Sequence, residues 1–198
     1  MVRIAVFASG RGSNFSAIAR AVKSGRIKAS LTLLVCDTAG AGVLAKAKRA
    51  AVKTVLVKRE DFPAKKDFEA QIIRHLEEEK IDLIAMAGFM RILSPEFVGR
   101  FKDKIINIHP ALLPAFKGGH AIKDAFDYGV KVTGVTVHFV DEKMDHGPII
   151  LQEEVEIKQG DTLESLEERI HKIEHKLYPK AISLFIEGKL KIEGRKVK

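Results

Sequence analysis

Short apolar runs alternate with segments of helical periodicity through the first half of the chain, and this alternation narrows the possible folds more than any other feature. The runs are "VRIAVFA" (Val2 to Ala8), "ASLTLLVC", "KTVLV", "IDLIAMAG" and "KIINIH". Between them lie "SNFSAIARAVKS", with Phe15, Ile18, Ala19 and Val22 at helical spacing, "AGVLAKAKRA", and "FPAKKDFEAQIIRHLEEEK", whose apolar face carries Phe68, Ile72 and Leu76. Ser13 is expected to cap the first helix, and Ser94-Pro95-Glu96 reads as a helix start with proline in the first turn. Strands separated by helices imply an α/β fold with a doubly wound, mainly parallel sheet. Later, a helix is expected from Gly119 to Tyr128. The run "GVTVHFV" then puts Val135, Val137 and Phe139 on one side of a strand and Thr136 and His138 on the other. With "PIILQEEVEI" it breaks the alternation and adds antiparallel strands. "DTLESLEERIHKIEHKL" is an amphipathic helix with Leu163, Leu166, Ile170, Ile173 and Leu177 on one face, capped by Asp161 or Thr162. Pro179 is expected to kink or restart it before Gly188. No linker, repeat or low-complexity tract divides the chain, so one domain is expected over residues 1–198.

The 198 residues are 46% hydrophobic and 30% charged, with formal net charge +8, the composition of a globular domain with a sizeable core. The positive balance fits nucleic acid, a membrane surface or an anionic small substrate, and equally a solvated lysine-rich surface; part of it falls in the polar tail "KLKIEGRKVK". Cys36 is the only cysteine and lies in an apolar run. It builds no disulfide framework and no cysteine-cluster zinc site, which suits a reducing cytoplasm. The N-terminus does not read as a signal peptide, and no segment approaches the ~20 apolar residues of a membrane span.

Three stretches carry chemistry. In "INIHPALLPAFKGGHA", Asn107 and His109 project from one face of a strand while Ile106 and Ile108 face the other way. Pro110 ends the strand, so the pair stands at its carboxyl end, where open α/β sheets place ligands. Position alone leaves open whether His109 acts on a ligand or satisfies a backbone carbonyl. "ASGRGSN" (Ala8 to Asn14) follows the first strand and opens the first helix, so the amides of Gly12, Ser13 and Asn14 form an anion site. Gly10-x-Gly12 and Asp37 suggest a dinucleotide site, but Phe15 stands where that fingerprint needs its third glycine, so a phosphate monoester fits better. In "VDEKMDHGPI", Glu142 and Lys143 read as a solvated turn. Asp145 differs: if this loop folds over the end of the Asn107 strand, its carboxylate reaches His109 and favours the protonated ring. His171 and His175 stand four apart with Glu174 between them, without the glutamate that a zinc-protease helix places after its first histidine. No metal site and no serine nucleophile are expected.

The stretches "SGRGSN", "AGFMRILSP", "INIHPALLPAFKG", "GVTVHFVDEKMDHGPII" and "HKIEHKLYP" span nearly the whole chain. In that order they resemble the phosphoribosylglycinamide formyltransferase family, folate-dependent enzymes of purine biosynthesis. The resemblance implies a formyltransferase fold with a Rossmann-like N-terminal half: a phosphate-binding half over about 1–100, and a folate and catalytic half with the C-terminal helix over about 101–198. It implies a catalytic trio of Asn107, His109 and Asp145. Gly12, Ser13 and Asn14 would hold a ribonucleotide phosphate, and His171 and Glu174 the rest of that substrate. Lys65, Met90, Arg91, Ile92, Leu93, Asn107, Asp141 and Asp145 would surround the folate. Lys65 stands where several relatives carry arginine, keeping the charge and losing the planar fork. Ala111 and Lys117 also depart from the family's common serine and proline. The implied co-substrates are 10-formyltetrahydrofolate and phosphoribosylglycinamide, both anionic, with no metal, nucleic acid or membrane, in a cytoplasmic monomer or homodimer.

Two neighbouring families share the "HP-x-LLP" region. The methionyl-transfer-RNA formyltransferases add a nucleic-acid-binding domain at the carboxyl end, and the formyltetrahydrofolate hydrolases a regulatory domain at the amino end. Neither addition is expected here. A non-catalytic nucleotide-binding module has no need of Asn107, His109 and Asp145 together.

Overall fold

The first apolar run forms β1 (Arg3–Phe7), and Ile4 to Phe7 are wholly buried. Ile4, Val6 and Phe7 each contribute on the order of 1.5–3 kcal/mol by leaving water. The computed structural model describes residues Met1–Lys198, which divide into two units, Met1–Ile106 and Asn107–Lys198. In the first unit β2 (Ser30–Cys36), β3 (Lys53–Leu56) and β4 (Leu83–Met86) join β1 in the order β3-β2-β1-β4. All of these pairs are parallel. The helices are α1 (Ser13–Lys23), α2 (Gly42–Arg49), α3 (Lys65–Glu78) and α4 (Pro95–Arg100). The chain winds outward from β1 through β2 to β3, then returns to place β4 on the other side of β1. The strand order thus reverses between β1 and β4, and the crevice beyond their carboxyl ends is where such sheets receive ligands.

Two helix starts show how local chemistry sets these elements. Ser94 accepts a hydrogen bond from the Phe97 amide at 3.1 Å, with Pro95 in the first turn, as the sequence predicts. Ser13 does not cap α1; it is the first helical residue, and the cap position is Gly12, at φ 72° with no side-chain cap bond. Glycine is needed there twice over. The backbone is left-handed, and a Cβ would lie 2.6 Å from Val43.

The second unit takes up β5 (Ile105–His109), the strand in which the division falls, and continues with α5 (Ala121–Tyr128), β6 (Val132–Phe139), β7 (Ile149–Glu156) and α6 (Leu163–Ile186). β6 and β7 pair antiparallel, so the mainly parallel α/β sheet acquires its antiparallel strands late, as expected. β6 is buried on both faces. Thr136 and His138 are accommodated by hydrogen bonds rather than water, whereas the buried Thr133 hydroxyl has no partner. The Thr136 hydroxyl donates to the Ala111 carbonyl at 2.7 Å and accepts from the Leu113 amide at 3.1 Å and from Gln152 Nε2 at 2.9 Å.

Pro179 does not restart α6, which runs unbroken for 24 residues; Leu177, Tyr178, Ala181 and Ile182 are all buried, and that packing outweighs the bond that proline withholds. Thr162 caps the helix by a reciprocal exchange with Ser165. Asp161 instead pairs with Arg169, which, with the Lys158 amide and the Ser165 hydroxyl, holds its carboxyl well below the usual range. The polar tail forms a hairpin of β8 (Ile192–Glu193) and β9 (Lys196–Val197) that continues the order β5-β6-β7-β9-β8. Lys191 and Lys198 both pair with Glu193. No helix is long and apolar enough to cross a membrane.

Gly134 is where β6 packs closest: a Cβ there would lie 2.3 Å from the Glu153 carbonyl oxygen and 2.6 Å from the Leu112 side chain. Gly134→Ala is expected to cost about 1–3 kcal/mol. The measurement is the urea midpoint, and an unchanged midpoint would contradict this packing.

Candidate active site

β5 delivers Asn107 and His109 to one side while Ile106 and Ile108 are buried on the other. The chain then turns at Pro110 and returns through the "PALLPAFKGG" loop toward its own strand end. His109, only 3% exposed, lies 2.8 Å through Nε2 from the Phe116 carbonyl. On its other side Nδ1 lies 3.5 Å from Asp145 Oδ2. A carbonyl only accepts, so Nε2 carries a proton. The carboxylate faces the other nitrogen at an ion-pair distance, beyond ordinary hydrogen-bond length. Of the two readings open at the level of sequence, the carbonyl partner is present as Phe116.

Asp145 is fixed in turn. Its Oδ2 accepts from the Gly118 amide at 2.8 Å. Its backbone is left-handed, at φ 47°, a conformation that aspartate tolerates better than most residues. Its Oδ1 lies 3.5 Å from Asn107 Nδ2. The loop that carries it is stapled internally: Asp141 accepts from the Lys143 amide at 3.0 Å and pairs with His146 at 2.7 Å. It also needs Gly147, where a Cβ would lie 1.9 Å from the Phe139 carbonyl oxygen.

His138 belongs to this cluster and was not among the expected site residues. It is 2% exposed; its Nδ1 lies 2.7 Å from the Phe139 carbonyl and its Nε2 3.2 Å from Asn107 Nδ2. Nδ1 therefore donates, and Nε2 of the neutral ring accepts one amide hydrogen of Asn107. Burial pushes the pKa of His138 down, which keeps that nitrogen available as an acceptor despite the nearby Asp145 charge. The signal was present in the alternation of β6: His138 shares a face with Thr136, and polar side chains inside a buried strand need partners. Thr136 uses its bonds to fix Ala111 and Leu113, with Gln152 also donating to the Leu113 carbonyl at 3.0 Å. Ala111 is thus buried and held through its backbone, and Lys117 is exposed.

On α6, Glu174 is 5% exposed and stands near the Tyr178 phenol, whose pKa rises through burial first and that negative charge second. The His171 ring centroid lies 6.5 Å from that of His175.

In the first unit, Gly12 caps α1, Ser13 is half-buried and Asn14 is buried. The first turn of α1 holds no carboxylate, so the positive end of the helix is uncompensated by acidic side chains. Met90 and Ile92 are 69% and 64% exposed, whereas Leu93 is buried. Arg91 pairs through Nε with Asp37 at 2.7 Å. Lys65 begins α3 and lies 3.8 Å from Glu69, which accepts the Ser94 amide at 2.8 Å.

Residues 2–182 match the family described as formyl transferase. The chain is 48% identical over 182 residues to phosphoribosylglycinamide formyltransferase of Bacillus subtilis (strain 168), covering 92% of this chain and 93% of that protein. It is 44% identical to the trifunctional purine biosynthetic protein adenosine-3 of Gallus gallus over 96% of its own length, which is 19% of that larger protein. Among solved structures, glycinamide ribonucleotide transformylase 1 of Symbiobacterium toebii superposes with TM-score 0.97 at 43% identity, covering 100% of this chain and 93% of that one. The match takes in β5, the loop after it, and the strands that bring Asp145 and His138 to Asn107 and His109; this chain belongs to the formyl transferase family.

Proposed function

We propose that this chain transfers the formyl group of 10-formyltetrahydrofolate to the amine of 5′-phosphoribosylglycinamide, giving the N-formyl product and tetrahydrofolate in purine biosynthesis. The observation that carries this reading is the His109 ring held between the Phe116 carbonyl and the Asp145 carboxylate, with the Asn107 amide beside it. A further support is the likeness over nearly full length to relatives with that name.

The amine attacks the formyl carbon and its oxygen becomes an oxyanion. Asn107 gives one amide hydrogen to His138, while the other makes only a 3.5 Å contact with Asp145. That second hydrogen turns to the oxyanion at little cost, and protonated His109 adds positive charge. Asp145 keeps His109 charged and relays the proton lost by the amine, through a water, to the departing folate nitrogen. The bond from the formyl carbon to that nitrogen then breaks, and no covalent enzyme intermediate forms. Gly12, Ser13 and Asn14 hold the phosphate, and His171 and Glu174 hold the rest of the ribonucleotide. Lys65, Met90 to Leu93, Asn107, Asp141 and Asp145 hold the folate. The reading places the chain in the cytoplasm as a monomer or homodimer acting on small molecules.

Mixing the protein with phosphoribosylglycinamide and 10-formyltetrahydrofolate is expected to raise the folate-product absorbance only when both are present; no rise, or a rise with folate alone, contradicts the assignment. Asn107→Ala is expected to lower kcat by on the order of 10²–10³, the usual loss of one oxyanion donor, with the fold intact by circular dichroism. Near-normal turnover would remove Asn107 from the mechanism.

The depressed pKa of His138 has a consequence for stability. Below the ordinary value of 6.5 the unfolded chain takes up a proton that buried His138 refuses. Stability therefore falls as pH drops below that value, and the loss levels off below the native pKa. His138→Phe is expected to flatten the dependence of the urea midpoint on pH on the acid side of neutrality; parallel curves for the two proteins would contradict a buried neutral ring.

A further inference from the structure

Asp37 is 4% exposed and takes no part in the transfer chemistry, yet it gathers hydrogen bonds from three places. It stands one residue past the end of β2. Its neighbour Thr38 donates to Oδ1 at 3.1 Å, and Arg91 donates through Nε to Oδ2 at 2.7 Å. The Ser9 hydroxyl is its third partner. A hydroxyl has one hydrogen. Having given it to Asp37, Ser9 Oγ accepts the Met90 amide at 3.0 Å. The Ser9 amide in turn donates to the Gly88 carbonyl at 3.0 Å. Met90 and Arg91 are consecutive residues, and both are tied to one carboxylate, the first through Ser9 and the second directly. Burial opposes the charge on Asp37, but the bonds from Ser9, Arg91 and Thr38 outweigh it and keep the group ionised below the usual carboxylate range.

The ring lies where it joins two segments. Ser9 and Gly88 stand beyond the carboxyl ends of β1 and β4, the strands between which the order reverses. Ser9 belongs to the turn that carries Gly12, and that turn is braced from α2 by the Val43 amide on the Gly10 carbonyl at 3.1 Å. Met90 and Ile92 expose apolar side chains on either side of the tethered Arg91.

We propose that Asp37 is a positioning residue that couples the phosphate-holding turn to the apolar platform of Met90 and Ile92. The inference rests on the proposed function for what the two segments hold. A phosphate that orders the Ser9 turn fixes the acceptor of the Met90 amide and the partner of Asp37, so the platform is set before the folate arrives. By linkage, a folate on the platform favours the ordered turn to the same extent. Removing the Asp37 carboxylate frees Ser9 and Arg91 together and separates the two segments.

The test uses Asp37→Ala, the near-isosteric Asp37→Asn, and Ser9→Ala in the full chain. In hydrogen exchange without substrates, Asp37→Ala and Ser9→Ala are expected to speed exchange at Met90 to Ile92 while the Ile4 to Phe7 amides stay protected. In titrations with 10-formyl-5,8-dideazafolate, the wild-type affinity is expected to rise on the order of tenfold when phosphoribosylglycinamide is present, a typical coupling. In Asp37→Ala that ratio is expected to fall to near unity, with folate KM raised and kcat at saturation largely retained. Asp37→Asn recovers part of the ratio, because it keeps an acceptor for Ser9. A merely structural role would lower stability without moving the ratio or splitting KM from kcat. Unchanged exchange at Met90, or a wild-type coupling ratio in Asp37→Ala, overturns the inference and leaves the proposed function standing. A wild-type protein that binds neither probe overturns the proposed function and the coupling with it.

Discussion

An imidazole held between a backbone carbonyl and a carboxylate is the constraint on which the candidate site depends. The Phe116 carbonyl can only accept, so the His109 ring donates to it from Nε2, while the Asp145 carboxylate faces Nδ1 at 3.5 Å. The ring itself is nearly closed to water, which strengthens the pull of the carboxylate. An imidazole fixed at the end of a strand, with an amide donor beside it, suits a reaction in which a carbonyl oxygen gains negative charge. Asn107 is oriented by a second histidine of opposite character, since burial keeps His138 neutral and accepting. Two neighbouring imidazoles thus play different parts: Nε2 of His109 donates to a carbonyl, while Nε2 of His138 accepts from an amide.

The rest of the second unit holds these partners still. The Phe116 carbonyl and the Gly118 amide come from one irregular loop, which regular backbone pairing cannot fix. Thr136 and Gln152, from the antiparallel strands, clamp its start at Ala111 and Leu113. The late antiparallel pair therefore does more than extend a sheet: it carries the clamp, it carries His138, and its connection carries Asp145. In the first unit the same logic recurs with a carboxylate at the centre, where Asp37 collects Ser9, Thr38 and Arg91.

Much of this was legible in the residues, and what was not has physical causes. Two-residue spacing and Pro110 place Asn107 and His109 together at a strand end, and alternating apolar runs give the parallel half of the sheet. The pairing of Asp145 with His109 joins residues 36 positions apart; the residues offered it only on the condition that the loop folds over the strand end, and the resemblance to a known family supplied that condition. The partners Phe116 and Gly118 act through backbone atoms, which leave no mark in residue type. His138 was visible as a polar residue on a strand but hidden by the expectation that one face of that strand would be polar; both faces are buried. Ser13 has the composition of a cap, but Gly12 takes that place because Val43 leaves no room for a side chain. Basic residues of the tail face Glu187 and Glu193. The excess positive charge lies instead in Met1–Ile106, where lysine and arginine outnumber aspartate and glutamate almost two to one.

The central claim concerns two hydrogens on one ring, and nitrogen-15 chemical shifts of the His109 imidazole observe them directly. At the pH of maximal turnover both ring nitrogens are predicted to be protonated, and Asp145→Asn is predicted to return Nδ1 to the unprotonated state while Nε2 stays on the Phe116 carbonyl. A neutral His109 ring in the wild-type protein at that pH, or a ring indifferent to the loss of the Asp145 charge, would contradict the account.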